Sequence, residues 1–306
     1  MNNFQIEEVV EQTNTYAIYK VLDKAIDKVA YMKQYVVKSS SRIQAVPEWQ
    51  KDFRALIEQA TTTKNLYLRT IVGGDVDYLQ GRPYVLYETL PDRSLSSIIE
   101  GTTKLGLNNA VQIGVALLEA IIQLEKMDFV HGTISPEYVL YQRKNGQNPW
   151  LLDWDPLCAL EHKYNVADLR IDEYTAPELM SGLTPTSRSD VYSIGKIMES
   201  VLGSDISDSH IKKWISVATT MSKYNRFKHP KEALIYLTNR NVTKQNLSTA
   251  TVPVSQTDTQ LTYIQTQPRT LRPEVKVVDA PVVAKPETLF PVAETQKAVE
   301  NETSSR

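Results

Sequence analysis

His131-Gly132-Thr133-Ile134-Ser135-Pro136-Glu137-Tyr138-Val139-Leu140, followed by Leu151-Leu152-Asp153-Trp154-Asp155, is the part of the chain on which its reading turns. What this stretch can do depends on the residues at 133, 138 and 153. The hydroxyl of Thr133 cannot serve as a carboxylate base at neutral pH, and the phenol of Tyr138, with an ordinary pKa of about 10, is a poor ligand for a hard cation. Asp153 keeps a carboxylate, but an aspartate in a turn more often caps a helix or bonds to nearby backbone than holds a metal.

Upstream of this stretch the chain favours strands. Ile6, Val9 and Val10, then residues 16–22 and 29–37, predict an antiparallel meander. Pro47-Glu48-Trp49 opens a run to residue 60 in which Trp49, Phe53, Leu56, Ile57 and Ala60 repeat at helical spacing. Residues 66–72 and 82–90 predict two more strands, separated by a turn at Gly73-Gly74-Asp75 and a polar bend at Gln80-Gly81. From Pro91 onward helices are expected at 94–99, 108–126 (capped by Asn108), 187–202, 211–221 and 230–237. Strands first and helices second is the segregation of α+β architecture with two lobes. The expected division is an N-lobe at 4–90, a C-lobe at 91–240 and a disordered tail at 241–306. In the tail, Pro253, Pro268, Pro273, Pro281, Pro286 and Pro291 interrupt a Thr/Val/Gln-rich sequence with few large apolar residues.

Composition narrows the function classes. With 42% hydrophobic residues in 306, the chain can bury one large core or two modest ones. A net charge of −2 with no basic patch gives no case for nucleic acid or an anionic membrane surface. The apolar run 111–124 is shorter than a bilayer span and is broken by Gln112, Glu119 and Gln123, which predicts a core helix and no membrane span. Cys158 is the single cysteine, so no intrachain disulfide or multi-cysteine metal site is possible, and its expected role is that of a small buried apolar residue. With no secretory signal in Met1-Asn2-Asn3-Phe4-Gln5, a cytoplasmic location is expected.

Residues of about 4 to 240 resemble a eukaryotic-like serine/threonine protein kinase domain. The landmarks follow in order: Tyr84-Val85-Leu86-Tyr87-Glu88 resembles the fifth strand and hinge, with Tyr87 at the gatekeeper place. Phe129-Val130-His131 resembles the approach to the catalytic loop, and Leu152-Asp153 the approach to the metal-binding aspartate. Tyr174-Thr175-Ala176-Pro177-Glu178 resembles the end of the activation segment, Ser189-Asp190-Val191-Tyr192-Ser193-Ile194-Gly195 the start of the central C-lobe helix, and Asn225-Arg226-Phe227 the site of a late arginine. The resemblance implies structural roles: a buried ion pair between Glu178 and Arg226, and Asp190 fixing the backbone around His131. Small-molecule kinases of the aminoglycoside phosphotransferase type share the fold and some of this pattern, but Ala-Pro-Glu and Ser-Asp-Val-Tyr-Ser are similar to the protein-kinase branch.

Against the same family pattern, the reacting groups are missing. Phosphoryl transfer there needs an aspartate where Thr133 stands and a magnesium-holding asparagine where Tyr138 stands. Ser135 replaces the lysine that neutralises the moving phosphoryl group, and Gly132 the arginine that reads a phosphorylated activation segment. Asp155 replaces the glycine after the metal-binding aspartate. The first glycine of the chain is Gly73, so Glu11-Gln12-Thr13-Asn14-Thr15-Tyr16 stands where a phosphate-cradling glycine loop belongs. The third-strand lysine falls on Met32, Lys33 or Lys38 according to the alignment, and its helical partner on Asp52, Arg54 or Glu58.

The expectation is a pseudokinase: a catalytically silent module that binds or scaffolds protein partners through its kinase-like surface and tail. Phosphothreonine-reading domains are candidate partners, through Thr257-Asp258-Thr259-Gln260, Thr266-Gln267 and Glu294-Thr295-Gln296. No cofactor is expected, with weak ATP–magnesium binding through Lys33 and Asp153 as the alternative. The competing reading is an unorthodox kinase in which Asp153 holds metal and Asp155 or Glu137 acts as base.

Overall fold

The computed structural model describes residues 4–36, 42–77, 80–101, 105–143, 148–167, 171–203 and 206–239. They belong to a compact unit spanning 1–251; a second unit, 252–306, and the whole of the expected tail lie outside the described residues.

The meander forms as three strands, β1 (Phe4–Gln12), β2 (Tyr16–Asp23) and β3 (Lys28–Tyr35). A turn with Asp27 at φ 52° connects β2 to β3. Helix α1 (Trp49–Thr62) buries Trp49, Phe53, Leu56, Ile57 and Ala60, the five residues whose spacing predicted it. Strands β4 (Ile71–Val76) and β5 (Pro83–Tyr87) complete an antiparallel sheet of order β1-β2-β3-β5-β4. The Gly73-Gly74 pair does not turn the chain as expected: both glycines lie inside β4, which starts at Ile71 rather than near Leu66. A Cβ on Gly74 would sit 2.6 Å from the Tyr84 carbonyl and 3.1 Å from Ile57 Cδ1, so glycine there lets β4 pass close to both β5 and α1.

The pleat settles which third-strand residue faces inward. Ala30 and Met32 pack with Val21 and Leu86 on one side of the sheet. Tyr31, Lys33 and Tyr35 alternate with them and face the main core and cleft. Met32 is thereby excluded as the cleft lysine's position, and Lys38 lies outside the described residues.

The second lobe is mainly helical. Strand β6 (Arg93–Ser94) leads into α2 (Leu95–Gly101) and α3 (Leu107–Lys126). Gly106, not Asn108, holds the N-cap of α3, with no side-chain cap bond. This helix is long and apolar enough to cross a membrane by length and composition alone. Ala110, Ile113, Leu117, Ile121 and Leu124 are buried on it, and it packs against β8 (Trp150–Leu152), α6 (Ser187–Leu202) and α8 (Pro230–Thr238) of the same unit. Of these partners, β8 (Trp150–Leu152) pairs with β7 (Val139–Tyr141), which pairs with β6. Two short helices follow, α4 (Pro156–Lys163) and α5 (Pro177–Met180). Then come α6 (Ser187–Leu202), opened by a Thr186/Ser189 capping box, α7 (Ser209–Ala218) and α8 (Pro230–Thr238).

Candidate functional site

Two loops of the second lobe and three strands of the first converge on four charged side chains. On β3, Lys33 Nζ lies 2.7 Å from Asp155 Oδ2, and Tyr35 donates its hydroxyl to Asp155 Oδ1 at 2.8 Å. The same Oδ1 accepts the amides of Leu157 and Cys158 at 3.0 and 3.2 Å, so Asp155 is both counter-ion to Lys33 and N-cap of α4, with Pro156 at the first helical position. Burial opposes charge on both partners, yet their mutual attraction prevails: Asp155 stays below the usual carboxylate range and Lys33 above the usual ammonium range.

Asp153 has its own cation. Arg69, on the segment leading into β4, places Nη1 3.3 and 3.4 Å from the two Asp153 oxygens and donates Nη2 to the Thr89 carbonyl at 3.3 Å. Its guanidinium lies 3.8 Å from the ring centroid of Tyr87, whose hydroxyl donates to the Trp154 carbonyl. The Arg69 amide also bonds to the Leu152 carbonyl, a link between the lobes that fixes the arginine opposite Asp153.

Where a phosphate-binding loop belongs, the β1–β2 turn instead lays the Tyr16 ring 4.7 Å from Lys33 Nζ. Its hydroxyl donates to Glu11 Oε1 at 2.8 Å; burial first, and Glu11 second, push that phenol up to about 12. Among the described residues, none of the expected α1 partners pairs with Lys33. Asp52 accepts from Tyr164 and from Lys163, Arg54 pairs with Asp75, and Glu58 is exposed.

The loop 131–138 is held by its backbone. Asp190, on α6, accepts the amides of His131 at 3.0 Å and Gly132 at 2.8 Å; burial nonetheless pushes its carboxyl up to about 7. His131 bonds through Nε2 to the Asp153 carbonyl at 3.0 Å, and the Asp153 amide donates to the Tyr138 carbonyl at 2.7 Å. Gly132 sits at φ +80°, with the His162 ring 2.9–3.1 Å from where a Cβ would be. An arginine is therefore excluded at 132 twice over, by backbone conformation and by the imidazole filling its path. That imidazole is kept neutral: burial, and then His131, lower its pKa to about 4.

Beside the loop, Thr133, Ser135, Tyr138, Cys158 and Asp172 line a cavity of about 90 Å³. The Cys158 thiol is pushed up to about 12 by burial, while Asp172 Oδ1 accepts from the Thr175 hydroxyl and the Tyr174 amide. Ser135 is buried, with its carbonyl bonded to the Tyr138 amide. The Tyr138 ring meets His131 edge-on at 5.2 Å, and burial pushes its phenol up to about 12. Glu137 lines the same cavity from an exposed position.

Away from the loops, Arg226 binds Glu178 bidentately at 2.7 and 2.8 Å, with both side chains almost fully enclosed. Ser189 adds a third bond to the carboxylate at 2.9 Å. Burial works against the Glu178 charge, but the Arg226 bonds outweigh it and hold its pKa below the usual range. Arg69, Tyr35 and His162 were not singled out from the sequence, and Tyr16 only as the end of the segment 11–16.

No family model matches the chain. A segment of 125 residues is 28% identical to the serine/threonine-protein kinase PknK of Mycobacterium bovis, covering 40% of this chain and 11% of that protein. Among solved structures, the PknI kinase domain of Mycobacterium tuberculosis superposes with a TM-score of 0.59 at 14% identity, over 77% of this chain and 95% of that one. Rad53 residues 1–466, solved in complex with AMP-PNP, gives 0.56 at 15% identity, over 76% of this chain and 64% of that one. The chain has a two-lobed, protein-kinase-like fold.

Proposed function

We propose that this chain is a pseudokinase, a kinase-shaped binding or scaffolding module whose cleft satisfies its own charges. The observation that carries this reading is the pairing of Lys33 with Asp155 and of Arg69 with Asp153, two cations and two carboxylates closed on one another. In a working kinase the third-strand lysine and the aspartate corresponding to Asp153 face phosphate and metal. Here Arg69 takes the place of a cation against Asp153, Asp155 the place of an anion against Lys33, and the Tyr16 ring covers Lys33 where phosphate would approach.

The residues present do not suit ATP with magnesium. Asp153 is taken up by Arg69, and a phenol raised to about 12 at Tyr138 is no metal ligand at neutral pH. An opening of about 690 Å³ bordered by Tyr31, Thr89 and Leu90 is lined by neither Lys33 nor Asp153. Protein partners, a cytoplasmic setting and recruitment through the threonines of 241–306 belong to the same proposal.

The alternative, residual ATP binding or transfer through Asp153, is favoured by one observation: Lys33 and Asp153 do lie in a single cleft. Incubating the pure protein with labelled ATP, magnesium or manganese and generic acceptors separates the two. The expected result is no transfer; turnover that disappears in Asp153→Ala overturns the proposal.

A further inference from the structure

The sheet of the first lobe ends on β1, which pairs with β2 along one side and, among the described residues, with no strand along the other. Seven of its nine residues are exposed, so the free side offers a continuous row of backbone donors and acceptors to solvent. Such an edge is a template for a further strand, and the side chains flanking it decide which strand it takes. Opposed residues of an antiparallel pair point to the same side of the sheet, so the register assigns those side chains to faces. Ile6 lies opposite Val21 and Val9 opposite Tyr19, on the side away from the cleft where Phe4 also packs, and the two stand 40% and 54% exposed. Glu8 lies opposite Lys20 and Glu11 opposite Ile18, on the side shared with Tyr31 and Lys33.

Charge then selects the occupant. β1 carries three glutamates and no lysine or arginine, and of the three Glu7 alone is ion-paired, with Lys20 at 2.9 Å. A second copy of the chain added along this edge would set glutamates against glutamates, which like-charge repulsion opposes. A strand with apolar residues on one face and cations on the other meets Ile6 and Val9 with apolar surface, and Glu8 and Glu11 with opposite charge. We infer that β1 is a docking edge for an extended basic segment of a protein partner, in which apolar residues alternate with Lys or Arg, added to the five-stranded sheet as a sixth strand. The breaks in register at Glu7 and Val10 work in the same direction, since bulges and charges together keep an exposed edge from pairing indiscriminately. The edge does not depend on whether the cleft handles nucleotide.

The test is fluorescence anisotropy of the full chain, at physiological ionic strength, with a labelled octapeptide of alternating lysine and valine. Saturable binding is expected, with amide hydrogen exchange slowed along residues 4–12. A peptide with glutamate in place of lysine should not bind, and neither should an N-methylated peptide, which keeps the charges but has no backbone donors. Glu8→Lys, at an exposed position, should weaken binding about tenfold. The inference is overturned if the peptide does not saturate, if either control peptide binds as well, if Glu8→Lys binds as the parent does, or if the protection falls outside 4–12. A concentration-dependent dimer whose 4–12 amides are protected without peptide would give the edge to a second copy and overturn it equally.

Discussion

The C-lobe brace and the cleft use one physical device in two places. In the brace, Arg226 and Glu178 form a bidentate pair that ties α5 to the segment after α7, and Asp190 gathers the amides of His131 and Gly132 and so holds the loop 131–138. In the cleft, Lys33 pairs with Asp155 and Arg69 with Asp153, so each charge there also meets its opposite from within the chain. A buried charge must be paired or lose its charge, whatever its neighbour is for. The lesson is that the two regions are held by the same kind of contact: in each, enclosed charges are matched from within the chain.

The comparison can be broken most forcefully at the brace. Arg226→Met leaves the Glu178 carboxylate enclosed without its cation, and a loss of about 3–5 kcal/mol is expected in urea unfolding. A loss below 1 kcal/mol would mean that the pair is not what holds this part of the lobe.

His162 sharpens the boundary between the two regions, because its ring fills the space beside Gly132. Its native pKa, about 4, lies below the unfolded value near 6.5, so the native state binds fewer protons between those pH values. Its neutral form contributes stability that is fully present above pH 6.5 and lost as pH falls toward 4. Relative to His162→Leu, the parent should lose about 3 kcal/mol between pH 7 and pH 4. Asp190 shifts the other way, but it is common to both proteins, so the difference isolates His162. Parallel stability curves for the two proteins would contradict the burial of a neutral imidazole.

The smaller effect lies in the cleft. Asp155→Asn keeps the helix cap but leaves Lys33 without its counter-charge, with an expected cost of about 2 kcal/mol. Lys33→Met made in the same chain should recover at least about 1 kcal/mol of that, read as the coupling term of a double-mutant cycle. Strict additivity would show the two side chains to be neighbours without an energetic bond.

Much of this was legible in the sequence because it is periodic or local. The apolar spacing of α1 and the span of α6 could be read directly, and the order of the landmarks announced the two lobes. What was misread depended on contacts distant in sequence. Gly73-Gly74 suggests a turn until Ile57 and Tyr84 are seen pressing on the strand from either side. The position of Lys33 required the pleat, since one residue of register exchanges the two faces. Asp155 was taken as a lost glycine, although Asp-Pro is a helix-start signal and α4 begins there. Arg69 offered no signal at all: it is an ordinary arginine between Leu68 and Thr70, and only the fold brings it to Asp153. The tail lies outside the described residues, so its expected disorder enters none of these comparisons.

The most direct measurement is a binding isotherm for ATP with and without magnesium, on the parent and on Asp153→Ala. Cleft charges already matched from within predict no saturable, magnesium-dependent binding by the parent. Saturable binding that requires magnesium and disappears in Asp153→Ala would contradict the account.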